Sequence, residues 1–164
     1  MLNTYTAFNH YDITEENEFE REHMIVGSNT MSFEEYKEAH QFRWSVMFGH
    51  YLGVVQYISR YLRATKDITY RQFYEEFLKF MRENPDTFLG QELQSTIENL
   101  DAVLDVKQPW GRIIDDVRQN FAWDFEEATA IECIRNQDQL YEEVKLFLSK
   151  HLNVEYTEEI AELF

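Results

Sequence analysis

The apolar positions of this chain recur mostly at intervals of three and four residues, which is the period of an amphipathic α-helix. The first long stretch of this kind covers residues 33–64 and begins behind a capping box, in which Ser32 stands three positions before Glu35. Apolar side chains lie on several faces between Trp44 and Ile58, so this part is expected to form a central, buried helix. The repeating positions are Phe33, Tyr36, Phe42, Val46, Met47, Tyr51, Val54, Val55, Ile58, Tyr61 and Leu62.

Two glycines stand inside this apolar stretch. Gly49 and Gly53 are four residues apart and therefore share one face of the predicted helix. A bare strip of backbone lets another helix approach closely, at some cost in helix propensity. The alternative is a ligand that lies against the strip, and of the two interpretations we favour close helix packing.

Further helical segments follow the first. Thr69 opens a second capping box, and the helix behind it should end by Pro85, because the residue before a proline disfavours helical backbone. The same periodicity predicts a third helix at residues 88–104. After a turn that contains Gly111, a short helix is expected at residues 112–120.

The C-terminal part of the chain supplies the last two elements. Asp124 is a candidate N-cap for a helix that should reach about Ser149, and Thr157 opens a final helical turn. Together the segments predict a mainly all-α fold. We expect an irregular bundle of four to five helices, with a short extended segment at the N-terminal side.

The first residues of the chain differ from the rest. Residues 1–23 are polar and rich in acids, which is typical of an exposed arm or a linker. Met24–Val26 form a short apolar run that predicts the extended segment. We place a single helical domain at residues 24–164, a length that supports its own hydrophobic core.

The charge balance limits the partners that this chain can have. It carries 31 Asp and Glu against 15 Lys and Arg, a formal net charge of −16. Such a surface repels phosphate backbones and anionic lipids, so we expect neither nucleic acid nor membrane as a partner. The acidic charge would serve either a basic protein partner or simple solubility, and of the two interpretations we favour solubility. No apolar run approaches the ~18 residues of a membrane span, and no secretory signal is evident. We expect a cytoplasmic protein, of an oligomeric state that the sequence leaves open.

No complete catalytic or metal-binding motif is present. Cys133 is the single cysteine and is expected to be a buried structural thiol. Glu20 and His23 form one E-x-x-H pair, whereas a carboxylate-bridged di-iron bundle needs two such pairs and two further Glu. His40 and His50 would lie ~15 Å apart along one helix, too far to share a metal. For His50 a core position is the default, and a proton-transfer or ligand role is the alternative.

The residues that lead into the first helix resemble a known family. Ile25-Val26, then Thr30-Met31-Ser32, then an aromatic helix, is similar to the start of the C-terminal region in radical SAM proteins with an N-terminal cobalamin-binding domain. The likeness covers about residues 12–64 and implies a helical domain beside a cluster-bearing barrel. Such a domain would close the substrate side, shape specificity or dock a partner. The candidate lining residues are Phe42, Trp44, Phe48, His50 and Tyr51, with core packing as the alternative for each.

The resemblance comes without the family's cluster motif. That motif, C-x-x-x-C-x-x-C, supplies three thiolates to a [4Fe–4S] cluster, and this chain has one cysteine. We therefore expect no cofactor, metal ligand or catalytic residue here. Iron–sulfur cluster, S-adenosylmethionine and cobalamin would lie in the rest of a parent polypeptide, the expected partner of this domain. The first hypothesis is thus an accessory domain. A stand-alone acidic helical interaction module is the alternative, and a metal-dependent bundle enzyme would rest on Glu20 and His23 alone.

Overall fold

Helices make up most of the structure. A computed structural model of the chain describes residues 2–6, 21–105, 110–114 and 121–163. Within these ranges it contains seven α-helices and a π-helical turn at Met47–Tyr51, which confirms the predicted mainly all-α class. The α-helices are α1 (Phe33–Val46), α2 (Gln56–Thr65), α3 (Tyr70–Glu83), α4 (Phe88–Leu104), α5 (Phe125–Arg135), α6 (Gln137–His151) and α7 (Glu158–Ala161).

Side-chain caps set the starts of four of these helices. Ser32 and Glu35 form the predicted capping box of α1, with the Ser32 amide donating to Glu35 Oε2 at 2.6 Å. Thr69 caps α3 through a second box, and Thr87 and Thr157 accept from backbone amides at the starts of α4 and α7. A cap satisfies amides that have no partner inside the helix, so local sequence fixes these boundaries.

The long helix predicted at residues 33–64 is divided, which corrects that prediction. After α1 the backbone widens into the π-helical turn, in which the Leu52 amide donates to the Met47 carbonyl at 2.9 Å. Gly53 then adopts φ +92°, a left-handed conformation that glycine takes without steric cost, and α2 starts three residues later. Gly53 therefore ends the first helical segment, and a Cβ there would have no atom within 4 Å.

The helix predicted from Asp124 to about Ser149 is also divided. α5 ends at Arg135, Asn136 leaves the helical conformation with φ −108° and ψ 37°, and α6 begins at the next residue. The Asn136 side chain donates to the Glu132 carbonyl at 2.9 Å. Asn side chains compete for backbone hydrogen bonds in this way, which favours a break. The two divisions raise the number of α-helices above the four to five predicted.

The prediction of a helix at residues 112–120 is wrong in its described part. Arg112–Ile113 form a short strand, β3, which pairs antiparallel with β4 at Ala122–Trp123. Gly111 precedes β3 at φ +110°, and a Cβ there would lie 2.7 Å from the Trp123 carbonyl oxygen. The close approach of the two strands therefore requires glycine at this position. Residues 115–120 lie outside the described part of the chain.

Two strands form the N-terminal side of the structure. β1 (Leu2–Thr6) pairs antiparallel with β2 (Arg21–Ile25), in a register that places Leu2 opposite Ile25. β2 overlaps the extended segment predicted at Met24–Val26, and β1 lies against α4. The first strand falls in a segment that the sequence predicted to be irregular. The division into an arm at residues 1–23 and a helical domain at 24–164 stays a prediction.

An aromatic core joins α1, the π-helical turn, α3 and α6. Phe147 of α6 packs against Phe73, Phe77 and Phe80 of α3, with ring centroids 5.1 to 5.8 Å apart. Trp44 of α1 stacks on Phe48 of the π-helical turn at 4.6 Å. Large apolar rings bury much surface each, so this cluster supplies a large share of the hydrophobic stabilisation. None of the helices in the described ranges is both long and apolar enough to cross a membrane.

Gly90 allows the loop between α3 and α4 to cross directly over the first turn of α4. A Cβ on Gly90 would lie 2.1 Å from the Asn84 carbonyl oxygen and 2.8 Å from Pro85 Cα, both of them backbone atoms. Backbone cannot rotate away as a side chain can, so a larger residue would push the loop and the helix apart.

We expect Gly90→Ala to lower the free energy of unfolding by ~2–3 kcal/mol, because the added methyl overpacks this crossing. Urea denaturation followed by circular dichroism measures the change. Gly27→Ala is a matched control, since a Cβ there would make only ordinary contacts of 3.5 Å or more. Equal stabilities of the two variants would contradict the steric argument.

The carboxylate of Glu143 links α6 to the start of α4. It is buried, and its two oxygens accept the Phe88 amide at 2.7 Å and the Leu89 amide at 2.9 Å. A negative charge at a helix N-terminus is stabilised by the unpaired amides and by the helix dipole. Glu143, which is 54 positions from Leu89 in the sequence, thereby completes the N-terminal capping of α4 that Thr87 begins.

Glu143→Gln should lower the free energy of unfolding by ~1–2 kcal/mol, since an amide replaces the charge and can offer only one acceptor oxygen to the two amides. Glu142→Gln is the neighbouring control. Glu142 is exposed, and among the described residues it pairs with Lys145 at 2.6 Å, a type of contact worth ~0–1 kcal/mol. Chemical denaturation at neutral pH compares them. A smaller loss for Glu143→Gln than for Glu142→Gln would disprove the assigned cap.

Candidate functional site

A cleft lies between α1 and α3, beside the π-helical turn. Its volume is about 800 Å³, which is within the size range of small-molecule sites. Apolar and aromatic side chains form its walls, and four charged residues stand at its edges. The lining residues are Glu35, Glu38, Ala39, Phe42, Val46, His50, Tyr70, Arg71, Tyr74 and Glu75.

Gly49 lets the π-helical turn lie directly against α3. A Cβ on Gly49 would be 2.9 Å from the Tyr74 ring and 3.1 Å from a Val55 methyl. The interpretation of close helix packing is therefore confirmed for Gly49, whereas Gly53 serves the turn instead. Because Gly49 lies against the Tyr74 ring of α3, the side chain of the next residue, His50, lines the cleft.

The imidazole of His50 is half-buried among tyrosines. Its ring meets the Tyr70 ring edge-on at 5.2 Å and the Tyr74 ring at 5.9 Å, and Nδ1 lies 3.4 Å from Ser59 Oγ. Burial lowers the pKa of His50, and the positive charge of Arg60 lowers it further. The ring is therefore neutral at pH 7 and presents a polar but uncharged group to the cleft.

Tyr74 brings a buried hydroxyl to the same place. The residue is 2% exposed, and its hydroxyl has no hydrogen bond of normal geometry among the described residues. The Ser59 hydroxyl is close enough to lower the pKa of Tyr74 slightly, but burial dominates and raises it well above its usual value. The phenol is therefore protonated, and its hydroxyl stays buried beside Ser59.

The charged rim of the cleft is predominantly negative. Hydrogen bonds from the Ser32 backbone and side chain lower the pKa of Glu35, which keeps that carboxylate ionised. Arg71 pairs with Glu75 at 2.7 Å, so these two charges largely cancel. Within the described part of the chain, Glu38 forms no ion pair and no hydrogen bond. Two uncompensated carboxylates thus remain beside an apolar surface.

The structure separates the five side chains that the resemblance placed on the substrate side. Phe42 and His50 line the cleft. Trp44 and Phe48 are completely buried in the aromatic core, and Tyr51 is 76% exposed outside the cleft. Core packing therefore describes Trp44 and Phe48. A substrate-side role for any of the five stays a prediction.

The sequence did not identify the α3 side of the cleft. Tyr70 and Tyr74 belong to α3, for which the sequence predicted a helix but no site residue, and Tyr74 is buried. Their nearness to His50 depends on how the π-helical turn redirects the chain. No local pattern signals that change of direction, so the pairing of the α1 and α3 residues could not be found from spacing alone.

Cys133 is buried, as expected of a structural thiol. Burial, together with the charges of Glu92, Glu132 and Glu143, raises the pKa of the Cys133 thiol well above its usual value. A thiol in this state is a poor nucleophile and a poor metal ligand.

The described residues contain no group of three or more His, Cys, Asp or Glu arranged to hold a metal ion. The candidate pair Glu20 and His23 is not covered by this finding, because Glu20 and the His23 side chain lie outside the described part of the chain. The third hypothesis, a metal-dependent bundle enzyme, stays without further support.

Comparison with known proteins gives one informative similarity. No family model matches the chain. A curated relative from Streptantibioticus cattleyicolor, the 2-(S-pantetheinyl)-carbapenam-3-carboxylate methyltransferase, is 36% identical over 77 residues. The matched stretch is 47% of this chain and 11% of the relative, so the chain corresponds to a small fraction of that methyltransferase.

His40 occupies an apolar pocket on the side of α1 that faces Trp110 and Phe125. Its ring meets theirs edge-on at 5.3 and 6.0 Å, and neither ring nitrogen has a hydrogen-bond partner among the described residues. Burial, with a smaller contribution from Arg43, lowers the pKa of His40 from 6.5 to about 4. His40 is therefore a neutral core residue.

This burial predicts a loss of stability in acid. Between pH 6.5 and 4 the unfolded chain binds a proton at His40 and the folded chain does not, so stability falls as the pH drops, by ~3 kcal/mol over the full interval. His40→Phe removes this term and should lose ~2 kcal/mol less than the parent chain between pH 7 and pH 5. Urea denaturation of both proteins at the two pH values measures it. An equal loss in both would show that folding does not lower the pKa of His40.

Proposed function

We propose that this chain is an accessory helical domain of a cobalamin-type radical SAM enzyme, which shapes the substrate side or docks a partner and is not catalytic alone. The observation that carries the proposal is the 36% identity with part of a methyltransferase. S-adenosylmethionine and cobalamin both carry methyl groups, so methyl transfer agrees with the family that the Thr30-Met31-Ser32 entry resembles.

The residues of the chain support an accessory role over an independent catalytic one. A [4Fe–4S] cluster held in the family's manner needs three thiolates, and the single thiol here is buried and protonated. Iron–sulfur cluster, S-adenosylmethionine and cobalamin would therefore be held by the rest of the enzyme. The contribution of this domain would be a surface, for which the cleft between α1 and α3 is a candidate.

A stand-alone interaction module is the second candidate function. It is favoured by the net charge of −16 together with the carboxylates that border the apolar cleft. Its partner would be a basic protein, and the association should weaken as salt rises, because ions screen the attraction between exposed charges. A partner retained equally at low and high salt would argue against this function.

The size of the endogenous protein separates the two functions. An antibody raised against this domain, used on a blot of the source cells, reports it directly. A band several times larger than 19.9 kDa is expected if the chain is one domain of a larger enzyme. A band near 19.9 kDa would overturn the accessory-domain proposal and favour the stand-alone module.

A reconstitution experiment tests the assignment of the cofactors. The 164-residue chain is incubated with iron, sulfide and a thiol under anaerobic conditions, and bound iron and S-adenosylmethionine are then quantified. We expect no stoichiometric cluster and no S-adenosylmethionine binding, because the ligand thiolates are missing. A stoichiometric cluster would contradict the accessory role.

A further inference from the structure

We propose that the cleft between α1 and α3 binds a small organic cation, a molecule with an aromatic or aliphatic body and a protonated amine. The accessory function does not require such a ligand, so the inference stands apart from it. It is carried by two features of one place: an apolar, aromatic-lined cavity of about 800 Å³ and a negative rim.

The walls of the cleft fit the body of the ligand. Ala39, Phe42 and Val46 come from α1 and face the cavity, and Tyr70 closes it from the start of α3. Tyr70 is 43% exposed, so part of its ring is accessible to a ligand in the cleft. Aromatic faces also attract a cation directly, so the same walls suit an amine as well as its apolar body.

The base of the cleft is built by an irregular backbone. The π-helical turn presents His50 beside Tyr70 and Tyr74, and turns of this kind are frequent at functional sites. The Tyr74 hydroxyl is fully buried beside Ser59, so the polar group that the base of the cleft offers to a ligand is the half-buried, uncharged His50 imidazole.

The charges favour a cation over an anion. Three carboxylates, those of Glu35, Glu38 and Glu75, stand around the cleft against the single guanidinium of Arg71, which is engaged by Glu75. His50 is uncharged at neutral pH and does not repel a positive group. Glu38 is the carboxylate without a partner in the described ranges, so it is the residue that a bound amine would neutralise.

Three probes with the same body and different charge test the inference. 4-Phenylbutylamine, 4-phenyl-1-butanol and 4-phenylbutyrate are each titrated into the isotope-labelled chain, and NMR shifts of the cleft residues are followed. We expect saturable shifts at His50 and Tyr70 with the amine, an affinity about tenfold lower for the alcohol, and no saturable binding of the carboxylate. Equal affinities of amine and alcohol, or the absence of saturable binding, would overturn the inference.

Variants of the rim and wall locate the site. Glu38→Gln should weaken amine binding about fivefold and leave the alcohol unchanged, because it removes only the charge. Glu155→Gln, at an exposed position outside the cleft, is the matched control and should bind like the parent chain. Ala39→Phe fills the cleft from an exposed position and should abolish binding of both probes. Circular dichroism spectra confirm folding, and equal binding by Glu38→Gln and Glu155→Gln would place the amine elsewhere.

Discussion

The contact between the Gly49 backbone and the Tyr74 ring determines how the first half of the molecule is arranged. A methyl group at Gly49 would meet that ring at 2.9 Å, so the π-helical turn and α3 can lie this close only where one of them has no side chain. Trp44 and Phe48 enter the aromatic core on one side of the contact. Phe42 and His50 face the cleft on another. The same packing thus supports a rigid core and an accessible cavity.

Buried acids form a second set of links between the helices. Glu92 of α4 accepts hydrogen bonds from Arg112 at 2.7 Å and from Thr129 at 2.9 Å, and Glu126 of α5 pairs with Arg43 of α1 at 3.0 Å. A buried carboxylate is tolerated only with such partners, because its desolvation is otherwise too costly. Each pair therefore links two elements that lie far apart in the sequence. Most of the described acids lie on the surface, whereas these few are buried and join helices.

Local chemistry accounts for the parts of the fold that the sequence predicted. The starts of α1, α3 and α4 follow from hydroxyl side chains that bond amides within three residues, and such signals are complete in the sequence. The divisions of the two long helices depend on Gly53 and Asn136, each of which is also compatible with a continuous helix. Whether Gly53 and Asn136 end a helix or continue it depends on the residues that pack against the neighbouring helical turns. β3 forms only because β4 pairs with it and because Gly111 lets the two strands approach. A strand of two residues is too short to show an alternating pattern in the sequence.

The candidate site was predictable only on its α1 side. Phe42 and His50 were named from an aromatic helix, but a straight helix would have presented Trp44 and Phe48 as equally plausible lining residues. Which of these side chains line the cleft and which lie in the core depends on the π-helical turn after Val46, because the cleft forms where α1 and this turn meet α3. Glu143 shows the same limit, since its role at the start of α4 involves residues 54 positions away.

The π-helical turn has a consequence for insertions and deletions. Such a turn holds one residue more than an α-helical path of the same span, so it absorbs a length change without shifting the helix that precedes it. Deleting a single residue between Met47 and Tyr51 would let the turn close to an α-helical path and would leave the segments on either side of it nearly unrotated. The side chains inside the turn, His50 among them, would change direction, while the segments before and after the turn kept their places. Which side chains line the cavity therefore depends on the number of residues between Met47 and Tyr51, as well as on what those residues are.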